Sequence, residues 1–231
     1  MSGWKIAIFL CILSSGLEAA TIQGEEMDIN KIKWLGHAGF RLEGKKIVYI
    51  DPWKISQGAP AADIVLITHT HYDHCSPEDV KLISKKDTVI VVPADGANKF
   101  KKPVISLKPG ESKEIGGIKV EAVPAYNINR PYHPRSENWV GYIVTLDGKR
   151  IYHAGDSDAI PEMENLKVDI AILPVGGTYT MNAQEAAEIV NKMKPGLAIP
   201  IHFGTIVGSL ADAEKFSRLA KVPVKILEKV K

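Results

Sequence analysis

Apolar residues recur in short runs along most of the chain, and the character of each run predicts an element. Residues 32–35, 39–42 and 46–50 carry the β-rich pattern of three successive strands, with Glu43-Gly44 as the hairpin signal between the last two. Residues 64–67 are continuously apolar, as in a strand covered on both faces. A helix is predicted next. Ser76 suits its N-cap, Pro77 its first turn and Asp79 the capping-box position, with Val80, Leu82 and Ile83 as its apolar face. Residues 89–92 then read as another covered strand.

The second half repeats this order. Gly39-Phe40, Glu43-Gly44-Lys45-Lys46-Ile47, Asp51 and the apolar run behind Asp63 recur, at a nearly constant offset, as Gly141-Tyr142, Asp147-Gly148-Lys149-Arg150-Ile151, Asp156 and the run behind Asp169. The register continues through a helix with Asn182 at N-cap, Glu185 at N3 and Ala186, Ile189 and Val190 inward. It ends in a strand that places Pro200 opposite Pro93. Two pseudo-duplicated β-rich halves, each with a helix on its outer face, predict an αββα sandwich of the α/β class. The loops after equivalent strands should converge on one edge, and chemistry is sought there.

Composition narrows the picture. A chain of 231 residues, 45% hydrophobic, can bury a core without disulfides or a structural metal. Its 29 Lys and Arg against 27 Asp and Glu create no strong field, so no nucleic-acid partner is expected. Residues 1–20 have the layout of a signal peptide: Lys5, an apolar stretch over 6–13, then small residues up to a cut after Ala19. That stretch is too short for a stable membrane span. Read as a leader, it implies export to the periplasm or the outside; with Met27 as the true start, the protein is cytoplasmic. Either way Cys75 is left as a single thiol, and residues 28–231 are expected to form one domain.

The most informative stretch is Thr68-His69-Thr70-His71-Tyr72-Asp73-His74, where a covered strand ends. His69 and His71, two apart, can point to one side of an extended loop, while Asp73 and His74 can turn toward a second ion. Imidazoles and a carboxylate are donors that Zn²⁺-like metals accept. Asp156 follows a strand beside Gly155, which permits close approach, and His202 follows the strand over 197–201.

Together with Ile-Asp-Pro at 50–52, Ala-Gly-Asp-Ser at 154–157 and Ile-Pro-Ile-His-Phe-Gly at 199–204, this motif resembles the metallo-β-lactamase superfamily over residues 29–231. Segments 34–40 and 173–182 are similar to a compact branch that includes ascorbate-6-phosphate lactonases and metal-dependent hydrolases. The resemblance implies that His69, His71 and a third histidine hold one metal, that Asp73, His74 and His202 hold a second, and that Asp156 bridges them. Many compact relatives place the third histidine directly after an Ala-Tyr pair. Here Ala125-Tyr126 is followed by Asn127, which leaves His133 as the candidate. Asp51, the pseudo-equivalent of Asp156, is expected to orient the His-x-His loop from behind. His37 either reaches the metal edge or stabilises its own turn, and strand alternation turns His153 to the opposite face.

The implied activity is metal-dependent hydrolysis by a hydroxide shared between two divalent ions, zinc in the first instance, with manganese or iron as alternatives. Asp73, holding that hydroxide in line, and His202 are the expected catalytic residues. The bond is an ester, lactone or phosphoester of a small-molecule substrate, with an anionic group as one possibility. Tyr126, Arg130, Tyr132 and Arg135 on the His133 loop, and Thr178 and Tyr179 in the following turn, are the candidate substrate contacts. Competing readings are a phosphodiesterase or phospholipase-type hydrolase, a mononuclear iron persulfide dioxygenase, and a non-catalytic metal-binding protein. Neither substrate nor oligomeric state can be read from spacing.

Overall fold

In a computed structural model, which describes residues 28–230, the chain folds as two facing six-stranded sheets. The leader expected over residues 1–20 lies outside the described residues. The first sheet holds β1 (Ile32–Gly36), β2 (Gly39–Glu43), β3 (Ile47–Ile50), β4 (Ala62–Leu66), β5 (Ser84–Val91) and β6 (Val104–Ile105), with α1 (Pro77–Ile83) between β4 and β5. The second holds β7 (Ser112–Ile115), β8 (Ile118–Pro124), β9 (Val140–Leu146), β10 (Lys149–His153), β11 (Ile170–Pro174) and β12 (Leu197–Ile201). There α2 (Ala183–Met193) lies between β11 and β12, and α3 (Leu210–Leu219) follows.

Strand order follows chain order in both sheets. Each begins with antiparallel pairs and becomes parallel at the same point of the repeat, after β3 in one half and after β10 in the other. Matched aspartates brace that switch: Asp63 accepts from Ile47 N at 2.8 Å, and Asp169 from Arg150 N at 2.8 Å. The duplicated αββα plan legible in the sequence is the observed one.

Strand alternation explains the continuous apolar runs. Ile64 and Leu66 of β4 point into the central core, where they join Phe40, Val48, Tyr142 and Ile151. Val65 and Ile67 point outward, where Val80 and Ile83 of α1 cover them. Two details of α1 differ from expectation. Leu82 is 56% exposed, because a seven-residue helix turns only one face inward and Val80 and Ile83 occupy it. Asp79 does not close a capping box. Ser76 accepts from Asp79 N, while the Asp79 carboxylate accepts from Lys54 N and Ile55 N and ties the preceding loop to the helix. The box at α2 is complete, with Asn182 accepting from Glu185 N and Glu185 from Asn182 N. Among the described residues no helix is long and apolar enough to cross a membrane.

Candidate metal centre

The segments that follow β3, β4, β8, β10, β11 and β12 converge, and they carry Asp51, residues 68–74, His133, Asp156, Tyr179 and His202 respectively. Donor atoms of His69, His71 and His133 lie within 4.8 Å of one another, as do those of His37, Asp73, His74 and His202. Between the two groups stands the Asp156 carboxylate. Its Oδ2 is 3.1 Å from His202 Nε2, 3.4 Å from His133 Nε2 and 4.0 Å from His69 Nε2, and its Oδ1 is 3.4 Å from His74 Nε2. Gly155, at φ +62°, lets this turn approach the ligand loop: a Cβ there would stand 3.0 Å from Thr68 Cβ.

A chain of hydrogen bonds fixes which imidazole nitrogens face the centre. Asp51 is buried, at φ +47°, and accepts from Thr68 N at 2.8 Å, Thr68 Oγ1 at 2.6 Å and His74 Nδ1 at 2.8 Å. A carboxylate only accepts, so His74 Nδ1 carries a proton and Nε2 is the nitrogen turned toward the centre. The Thr68 hydroxyl gives its own proton to Asp51 and therefore accepts from His69 Nδ1 at 3.0 Å, which leaves the ring's lone pair on His69 Nε2, 3.1 Å from His71 Nδ1. His133 Nδ1 donates toward Asn127 Oδ1 at 3.1 Å and Tyr179 O at 3.2 Å, which frees its Nε2. His37 Nε2 donates to Asp73 Oδ2 at 2.9 Å, and His202 N donates to His37 O at 3.1 Å. One carboxylate thus sets the tautomer of two rings.

The donor set fits a metal. His74 Nε2, His133 Nε2, Asp156 Oδ1 and both ring nitrogens of His202 are buried without a hydrogen-bond partner. Burial holds His69 well below the ordinary histidine range, helped by the neighbouring His74, and lowers His133 to about 4, so both are neutral donors at pH 7. Burial would raise Asp156, but His202 and His74 outweigh it and keep the carboxylate anionic. Burial would lower His74, but Asp156 and Asp51 together hold it well above its usual value. The chain alone therefore places a positive charge beside Asp156, where a cation would otherwise stand.

A cavity of about 270 Å³ opens above these groups, with His71, Asp73, His133, Asp156 and His202 on its polar side and Tyr72, Tyr132, Tyr179 and Ile206 on the other. Of the candidate substrate contacts only Tyr132 and Tyr179 reach it. Tyr126 is instead in the central core, with its hydroxyl donating to Glu162. Arg130 donates to Gly177 O, Asp158 and Glu185. Arg135 donates to Glu162 and lies over the Tyr126 ring at 4.8 Å. Thr178 is exposed and outside the cavity. His153 is turned away, with its Nε2 2.8 Å from Ala38 O, and Cys75 is buried, with its thiol pushed up to about 11 by desolvation.

Sequence reasoning missed three supports. Asn127 accepts from His133 N at 2.9 Å as well as from its ring, and donates to Asp158 and Tyr179 O. Asp95 accepts from Thr70 Oγ1 at 2.7 Å and from Trp139 Nε1 at 3.0 Å, and so ties the ligand loop to the Trp139 ring. Thr68 relays Asp51 to His69. Only Asn127 carried a signal, since it occupies the position where many compact relatives have their histidine.

Residues 31–202 match the beta-lactamase superfamily domain. The chain is 38% identical to the UPF0173 metal-dependent hydrolase of Thermoplasma acidophilum over 209 residues, which cover 84% of this chain and 92% of that one. Among solved structures, a protein of Parabacteroides distasonis described as a metal-dependent hydrolase superposes with a TM-score of 0.77 at 34% identity, over 87% of this chain and 93% of its own. A metallo hydrolase of Ignicoccus hospitalis, 23% identical, gives a TM-score of 0.70 over 87% of this chain and 95% of its own, a likeness of fold alone.

Proposed function

Because the chain belongs to the metallo-β-lactamase superfamily and is a metal-dependent hydrolase, we propose that it works with two divalent ions and cleaves an ester, lactone or phosphoester bond of a small molecule. One ion would be held by His69, His71 and His133, the other by Asp73, His74 and His202, with Asp156 shared. The observation that carries this reading is the Asp156 carboxylate, which faces unpartnered imidazole nitrogens from both groups. Zinc, manganese or iron bound there would supply a water acidic enough to attack near neutral pH and would polarise the carbonyl or phosphoryl oxygen.

The chain's own residues supply orientation and proton acceptance. Burial would raise Asp73, but the hydrogen bond from His37 and the nearby His74 bring it below the usual carboxylate value, so it is an ionised acceptor at the cavity wall. His37 engages Oδ2 of that carboxylate, which leaves Oδ1 to accept a proton from an attacking water. His202, at φ +60°, is held in a strained conformation by its backbone bond to His37 O, which keeps its ring over Asp156.

The test is to strip the protein with a chelator, restore zinc, manganese or iron singly, and assay aryl esters, lactones and a bis-aryl phosphodiester. Hydrolysis that disappears on chelation and returns with metal supports the proposal. Hydrolysis that survives chelation, or a fully loaded protein that cleaves none of these bonds, overturns it.

A further inference from the structure

The cavity walls bear on the class of substrate, an inference that rests on the hydrolase reading above. Both arginines expected to meet an anion are engaged elsewhere. Arg130 reaches Asp158 at 2.6 Å and Glu185 at 2.8 Å, so two carboxylates already neutralise it. Arg135 is paired with Glu162 at 3.1 Å and faces solvent. Among the described residues no lysine or arginine lines the cavity. A phosphate or carboxylate held away from the metal donors would exchange water for tyrosine hydroxyls and an isoleucine, which is unfavourable for a charge.

The same walls suit an apolar group. Tyr72 is 68% exposed, Tyr132 43% and Ile206 38%, so apolar surface stands uncovered at the mouth of a site. The two tyrosines are also braced. Tyr132 meets Tyr179 edge to face at 4.7 Å, and Tyr72 meets Trp53 at 6.0 Å. Tyr179 is held from behind as well, since its carbonyl accepts from Asn127 and from the His133 ring. A volume of about 270 Å³ admits a ring with a short acyl or alkyl arm, little more.

We propose that the substrate presents its scissile bond to the metal donors and seats an uncharged apolar group, best an aromatic ring, among Tyr72, Tyr132, Tyr179 and Ile206, with no phosphate or carboxylate beyond the bond that is cleaved. Cleavage is hydrolysis: water adds at the acyl carbon, the bond to the leaving oxygen breaks, and acid and alcohol are released without any redox change.

Two measurements test this. In metal-free protein, acetanilide and 4-carboxyacetanilide are titrated against intrinsic fluorescence, for wild type, Tyr132→Ala and Ile206→Ala. The neutral probe should bind at least about tenfold more tightly than the anionic one and weaken several-fold in each variant. In metal-loaded protein, kcat/KM for phenyl butyrate should exceed that for 4-carboxyphenyl butyrate by a similar factor, with the two variants raising KM at unchanged metal content. Equal or better binding and turnover of the anionic partners, or neutral binding indifferent to Tyr132→Ala and Ile206→Ala, overturns the inference. Failure of the loaded protein to cleave either ester counts against the hydrolase reading, and the metal-free titration then decides the pocket's preference alone.

Discussion

Replacing Asp51 with asparagine changes one atom of a buried carboxylate and should disturb both metal-facing groups. Asp51 accepts three hydrogen bonds, from Thr68 N, Thr68 Oγ1 and His74 Nδ1. The asparagine oxygen can keep Thr68 N, but the amide NH₂ then faces a hydroxyl and an imidazole N–H that both need an acceptor. To accept from the amide, the Thr68 hydroxyl must turn its proton toward His69 Nδ1, and His74 must give up its Nδ1 proton and keep the one on Nε2. Each change leaves a proton on a nitrogen that faces Asp156. Loss of a charged acceptor costs about 1.5–3 kcal/mol of metal-free stability, read by thermal denaturation in chelator. Mispositioned imidazole protons should lower metal affinity by about 10–100-fold, or about 1.4–2.8 kcal/mol. A chromophoric chelator competed against the protein reads that loss directly. Thr68→Val, which removes only the relay to His69, should give a smaller fall. A folded Asp51→Asn protein with wild-type metal affinity would refute the tautomer argument.

Two further outcomes follow from the geometry. Asn127→Ala removes the acceptor for both His133 N and His133 Nδ1, so affinity for the first ion should drop about tenfold while the His202 side keeps its metal, as measured by competition titration of each equivalent. The metal-free protein should lose stability as pH falls. Burial holds His37, His69, His71, His133 and His153 below their unfolded value of about 6.5, so the unfolded chain takes up protons first, and stability is lost from about pH 7.5 downward. His74, raised by Asp156 and Asp51 against the effect of burial, acts in the opposite sense as pH rises above that value, but it is one group against five. Tm measured with chelator at pH 7.5 and pH 5 should therefore fall; an unchanged or rising Tm would contradict the burial argument.

What the sequence reveals here is what is local or repeated. Asp51 can be singled out because the repeat matches it to Asp156, and residues 68–74 because four donors crowd one loop. The paired sheets follow from matching glycines and aspartates at equivalent hairpins. Less legible is how distant residues use up one another's hydrogen-bonding capacity. Arg130 looks available to an anion until the fold brings Asp158 and Glu185, 28 and 55 residues away, onto its guanidinium. Tyr126 sits next to a loop in sequence, yet it packs into the core and bonds Glu162. The Asp95 link between Thr70 and Trp139 joins three elements with no shared pattern. Donor identities are local, whereas the chemistry of the cavity wall is tertiary.

The central claim, two metal sites sharing Asp156, is tested most directly by elemental analysis of protein purified without chelator, beside His133→Ala and His202→Ala. About two equivalents of zinc, manganese or iron are expected per wild-type chain, with each variant losing about one. A single iron per chain that is insensitive to His202→Ala, or a folded protein that binds no metal, would contradict it.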